Sequence, residues 1–241
     1  MTLKVGDAGT WKQAKSLWVG DAGTWKKVKS AWVGDGGIWK KMYSGMPEFI
    51  GSSNAIQNVS GGTCTYAAGT TTGDLLICVI ACDDSENNSG PAGWTFLGRD
   101  TDVTEVAVWA KDCAGETSVS IPGSTGGGGP STVAEVYTFR GANVAGITGV
   151  NTGTNSPANT PVDNCLVFCV RGNTLNTNSD NQTSWGTGNL ENPVEVGDYS
   201  YNDGWDVGFA ALYGEMQTAG DPGSVTNSAG AAYLNFTIQP L

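Results

Sequence analysis

The residues that could do chemistry here are acids, aromatics, cysteines and lysines, because the 241-residue chain contains no histidine. Without an imidazole, a Ser-His-Asp or Cys-His nucleophile has no base, and a zinc hydrolase lacks its usual ligands. Carboxylate chemistry survives. Asp83 with Glu86, Asp100 with Asp102 and Glu105, and Asp203 with Asp206 are close enough in sequence to serve as the acid and base of a glycosidase. On a chain of formal net charge −11, however, loop acids are more simply solvated. Gly126 to Gly129 precede neither a helix nor a Lys-Ser/Thr pair, so they form no phosphate loop. The expectation is a protein that is not an enzyme and needs no cofactor.

Two stretches could bind instead. Asp83, Asp84 and Glu86 lead into a pair of asparagines, and these oxygens suit calcium, but the spacing is not that of an EF-hand, so the alternative is a solvated loop. Tyr199, Tyr201 and Trp205 stand beside Asn202 and Asp203; aromatic faces with neighbouring hydrogen-bonding groups suit a sugar ring or a receptor. The same segment also reads as a strand end whose aromatics belong to the core. The six cysteines, Cys64, Cys78, Cys82, Cys113, Cys165 and Cys169, lack zinc-ligand spacing and are expected to be reduced, buried and inward-facing.

Three tandem 14-residue units open the chain, starting at Val5, Val19 and Val33. A unit this short buries no core alone, so it must stack on itself, on sister chains or on a partner. Eight lysines against three aspartates give residues 1–46 a charge of +5, leaving −16 for the rest. A four-residue turn at Gly20 to Gly23 would set Val19 opposite Thr24 and Trp18 opposite Trp25, with Trp32 and Trp39 matched likewise. Trp11, Trp18, Trp25, Trp32 and Trp39, with Lys26, Lys27, Lys40 and Lys41, are the expected anchoring or oligomer contacts. The lysines equally make a solvated face that discourages edge pairing. Nucleic acid is not an expected partner, because an aspartate recurs in every unit.

Residues 47–241 read as an all-β, jelly-roll-like antiparallel sandwich. Its alternating or apolar runs include 74–82, 103–113, 131–140, 164–171, 206–213 and 231–239, separated by Gly, Asn, Ser and Pro. The order of features occurs twice, in residues of about 47–150 and 151–241, with the strand after Asp74 matching that after Asp163 and Trp94 matching Trp185. In this alignment Leu76, Cys78 and Ile80 meet Cys165, Val167 and Cys169, all expected to point inward. No segment approaches the ~20 apolar residues of a membrane span, and residues 1–10 lack the apolar run of a secretory signal.

Thr72-GDLLICVIA, Pro91-AGWTFLG, Val106-AVWAKDCAGETSVSI and Val136-YTFRGAN resemble a β-sandwich module of bacteriophage tail-fibre and other virion-surface proteins. The Gly-Thr-Trp-Lys-Lys core of the repeats is similar to Trp-Lys repeats of phage structural proteins. The resemblance implies a virion protein made in the host cytoplasm, anchored to other virion proteins by its repeat arm as a homo-oligomer, a trimer by preference, and exposing its sandwich to a host glycan or receptor. A capsid decoration or cement protein, and a carbohydrate-binding or glycan-cleaving module, are the alternatives. The resemblance carries no catalytic set.

Overall fold

Gly23 adopts a φ of +83°, which lets the chain reverse within two residues. Each repeat accordingly forms one antiparallel hairpin: β1 (Lys4–Asp7) with β2 (Thr10–Gln13), β3 (Trp18–Asp21) with β4 (Thr24–Lys27), and β5 (Ser30–Asp35) with β6 (Ile38–Ser44). The computed structural model describes all residues but 1–3, 8–9, 14–17, 22, 29, 36–37, 59, 84–85, 102–103, 124, 127–130, 174–183, 203–205 and 228–231. Through most of the repeats, and at residues 83, 86, 87, 125, 126, 202 and 206, it describes the backbone alone.

The register corrects the expected tryptophan pairing. Asp21 pairs with Thr24, so Gly20 faces Trp25 and Trp18 faces Lys27. The third hairpin repeats this, with Gly34 across from Trp39 and Trp32 across from Lys41. The shorter loop moves the ladder by two residues, making Trp18 and Trp25 diagonal neighbours rather than a direct pair. Among the described residues no ladder joins one hairpin to the next.

The remainder is an antiparallel sandwich whose strands are β7 (Glu48–Ser52), β8 (Ile56–Asn58), β9 (Gly61–Thr65), β10 (Leu75–Asp83), β11 (Glu86–Asn87), β12 (Thr95–Asp100), β13 (Thr104–Asp112), β14 (Ser118–Pro122), β15 (Thr125–Gly126) and β16 (Thr132–Arg140) in the first half. The second half supplies β17 (Ile147–Thr152), β18 (Cys165–Asn173), β19 (Trp185–Gly186), β20 (Glu191–Asn202), β21 (Asp206–Met216), β22 (Thr226–Asn227) and β23 (Ala232–Ile238). The first sheet runs β12-β13-β10-β16-β7, with β8 also on β16, and the second runs β20-β21-β18-β23-β17.

Strand by strand these are the same topology, so each half of the chain builds one whole sheet. The small ribbons correspond too: β11 pairs β15 as β19 pairs β22, and the β9·β14 ribbon is reduced in the second half to a single bridge between Thr160 and Gly220. Stacking is reciprocal, with β12 lying over β17 and β20 over β8. The duplication thus has the arrangement of a two-fold dimer inside one chain. One part of the sequence alignment needs correction, because the counterpart of β12 is β20 and not the Trp185 segment. Trp94 and Trp185 nevertheless do the same job, each packing against an outer apolar cluster.

Three clusters fill the sandwich. Between the sheets lie Leu75, Ile77 and Val79 of β10, Tyr137 and Phe139 of β16, Leu166, Phe168 and Val170 of β18, and Phe236 of β23, with Met46 of the last repeat packed against them. The alternate residues point to the outer faces, where Leu76, Cys78 and Ile80 sit under the β9·β14 ribbon with Cys64, Tyr66 and Cys113. Cys165, Val167 and Cys169 sit under Leu190, Val225 and Trp185. These cysteines are therefore buried, but outward of their sheets, which corrects the expected inward facing. Because both faces of each central strand are covered, the strands read as continuous apolar runs, and the sequence gives no contrast by which to choose the face.

None of the six cysteines forms a disulfide. Burial pushes the Cys64, Cys165 and Cys169 thiols up to about 11 and holds Cys78 well above its ordinary range. Because all six are buried, native protein should leave them unlabelled by a thiol reagent at pH 8, whereas unreduced protein in denaturant should show six. A lower count in denaturant would mean disulfides.

Candidate functional site

The motif residues come together as a structural clasp. Gly73, at φ +89°, shapes the turn before β10, and Asp74 folds back so that Oδ2 accepts from Thr71 N at 2.8 Å. Arg140, at the end of β16, donates from Nε to Asp74 Oδ1 at 2.9 Å and from Nη2 to Oδ2 at 2.8 Å, and also reaches Gly69 O at 2.8 Å. The Asp74 carboxylate beside it raises the guanidinium's affinity for its proton. This two-pronged pair ties the ends of two neighbouring strands. In the second half Asp163 instead accepts from Ala219 N at 3.0 Å.

Of the acids that could have been catalytic pairs, Asp100 and Glu105 are engaged elsewhere. Asp100 Oδ2 accepts from Tyr233 N at 2.6 Å and Gly153 N at 3.2 Å, fastening β12 to the opposite sheet. Glu105 is buried, accepts from Asn88 N at 3.3 Å and lies 3.3 Å from Arg99 Nε. Asp102 and Asp203, and the side chain of Asp206, lie outside the described residues. So do Asp84 and the side chains of Asp83 and Glu86, the calcium candidates. Among the described residues no group of three potential ligands is arranged to hold a metal ion.

Of the aromatic candidates, Tyr199 and Tyr201 lie on β20 and pack, half-buried, against the inter-sheet core. Tyr199 sets its ring edge-on to Phe209 at 6.0 Å and donates its hydroxyl to Glu135 Oε1 at 3.1 Å. Their rings serve the core, which leaves the proposed contact to the hairpin tip, where Asp203, Trp205 and the side chain of Asn202 lie outside the described residues. The backbone of Asn202 pairs with Asp206 at the end of the β20·β21 ladder. For the repeat tryptophans and lysines the structure gives register alone: Trp11 faces Gly6, and Lys26, Lys27, Lys40 and Lys41 face Val19, Trp18, Val33 and Trp32.

Two buried charges went unnoticed in the sequence. Arg171 is fully buried on the outer face of β18, where Nη1 donates to Asn235 Oδ1 at 2.8 Å and Val170 O at 2.7 Å, and Nη2 to Val225 O at 2.5 Å. The rings of Tyr233 and Trp185 lie 5.0 and 5.8 Å from it. Carbonyls and π-faces hold this cation in place of a carboxylate, and loss of water lowers its proton affinity. Glu135 is the second, on β16 with its side chain in the space between the sheets. Each had a visible signal, a lone charge within an apolar run.

Compared with protein-family models, with curated proteins and with solved structures, the chain matches none of them. The functional reading therefore rests on the architecture and on the residues themselves.

Proposed function

We propose that this chain is a non-enzymatic structural protein of a bacteriophage virion, a tail fibre or surface fibre, whose basic repeat arm anchors it and whose acidic sandwich is displayed. The observation that supports this is the division of the chain into two unlike parts. Among the described residues the arm consists of two-stranded hairpins with no ladder between them, each too small to be stable on its own. The sandwich is self-contained. Arm and sandwich also carry opposite charge, +5 against −16. An anchor needs unsatisfied surface, and a displayed head needs none. Sister arms, in a trimer by preference, and neighbouring virion proteins are the partners in this reading, and the β20·β21 tip is the part offered to a host glycan or receptor.

The test is association of the full-length protein followed by sedimentation. The wild type should form a discrete oligomer. Reversing Lys26, Lys27, Lys40 and Lys41 to Glu should weaken it while leaving the sandwich's circular dichroism unchanged. Exposed ion pairs contribute about 0–1 kcal/mol each, so four reversals together weaken association by up to roughly a thousandfold. A wild type that stays monomeric, and whose lysine variant is incorporated into particles as well as the wild type, removes the anchoring role. Incorporation on the head with unimpaired host attachment after deletion of residues 203–205 favours a decoration protein.

A further inference from the structure

Glu135 is fully buried between the two sheets. Its neighbours are hydroxyls. Tyr199 of β20 donates to Oε1 at 3.1 Å, and the hydroxyls of Tyr137 and Ser52 stand close by, although Oε2 and Tyr137 Oη make no aligned hydrogen bond. Space for this group is made by Gly197 of β20, where an added Cβ would lie 2.0 Å from Tyr137 Oη and 3.0 Å from Glu135 Oε2. The carboxyl and Tyr137 therefore press against bare backbone of the opposite sheet. A second link lies beside it, from Gln57 Nε2 of β8 to Ser200 O at 2.9 Å.

We propose that Glu135 is a proton-operated clasp between the sheets, holding the edge strand β20 against β16 when the carboxyl carries its proton and loosening that strand when it ionises. An ionised carboxylate sealed from water needs a cation or several well-aligned donors. Among the described residues no Lys or Arg nitrogen pairs with Glu135. The titratable groups that face it are Tyr137 on its own strand and Tyr199 on β20, and Cys64 of β9 feels its charge from the outer cluster; none is a cation, while β10 presents apolar Val79 across the ladder and β7 a serine. None of these can neutralise the charge.

Burial pushes the Glu135 carboxyl from its ordinary 4.5 up to about 7, with Tyr137, Ser52 and Tyr199 only partly offsetting it. The sign follows. The closed state binds the proton more tightly than the open one, so the clasp is fully made below about pH 4.5 and is lost as pH rises through about 7. Opening of β20 then increases by up to about tenfold per pH unit across that interval, one proton being released per opening. The direction is unusual, since most buried carboxylates lose stability on acidification. This inference does not depend on where the protein resides.

The decisive measurement is amide hydrogen exchange of residues 196–201 in the full-length protein between pH 4.5 and 8, corrected for intrinsic exchange, together with the carboxyl 13C shift of Glu135. The expected result is loss of protection in β20 as pH rises, absent from β10, and a carboxyl titrating near 7. Glu135→Gln should abolish the pH dependence. Tyr199→Phe removes a donor that lowers the carboxyl's hold on its proton, so it should move the titration upward and keep the pH dependence while raising β20 opening by up to about tenfold. A carboxyl titrating near 4.5, or β20 protection flat with pH, overturns the proposal, and this wild-type titration decides the matter even if the Gln variant does not fold. A Gln variant that folds and keeps the full pH dependence overturns it as well.

Discussion

Phe168→Ala should lower the unfolding free energy of the sandwich by about 3–5 kcal/mol. The ring lies at the meeting point of the two halves: Phe236 stacks on it at 5.3 Å, Tyr137 lies 5.2 Å away, and Phe139 meets it edge-on at 5.8 Å. Fully buried and wedged among rings from both sheets, the site cannot collapse without shifting one sheet over the other. For a domain of ordinary stability, about 5–15 kcal/mol, the loss is a large fraction. Denaturant unfolding followed by tryptophan fluorescence checks it. Phe96→Ala is the control, because Phe96 is 52% exposed, with Trp109 5.5 Å and the Arg99 guanidinium 5.7 Å from its ring. Equal costs for the two would show that the inter-sheet space is not the main core.

Gly61→Ala should cost about 3 kcal/mol and should also make Cys64 reactive in otherwise native protein. An added Cβ would stand 2.3 Å from Ile121 O, 2.5 Å from Gly123 N and 2.6 Å from Pro122 C, all of them backbone, at a φ of +71°. Backbone cannot yield as a side-chain tip can, so the β9·β14 ribbon must lift. That ribbon carries Cys64 on its inner side and packs it against Cys78 and Cys113. Gly73→Ala separates conformation from collision: its φ is +89° with nothing within 4 Å of the added Cβ, so it should cost only about 1 kcal/mol and expose no thiol. Thiol labelling at native pH followed by peptide mapping reads both variants. If Gly61→Ala left Cys64 silent, the ribbon would not have lifted.

Much of the sheet structure was legible because its strands are strongly apolar. The runs around Leu75–Asp83 and Cys165–Asn173 are apolar enough to be read directly, and the two sheets share one strand order. The edge strands β7 and β17 were missed, since EFIGS and ITGVNT mix glycine and polar residues with few apolar ones. Facing was misjudged for a different reason. With both faces of β10 and β18 covered, parity alone could not say which residues meet the other sheet. The Asp74–Arg140 clasp joins residues 66 apart, and no local pattern encodes such a pair. The hairpin register turned on whether Asp21 ends a strand or a turn, a choice of two residues that glycine permits either way. Tyr199 and Tyr201 had been weighed both as a sugar platform and as core, and only the third dimension shows where their rings rest.

The sheet borders carry a last consequence. β12, β7, β17 and β20, the outermost long strands, each slip register against their neighbour, whereas the central ladders of β10 and β18 run unbroken. A slipped border is a poor template for a foreign strand. Copies of this domain can consequently be crowded shoulder to shoulder, at the millimolar local concentrations a short tether creates, without knitting into a continuous fabric. In the proposed display role, density would be set by the repeat arm and resistance to gelation by the sheet borders, two different stretches of one polypeptide.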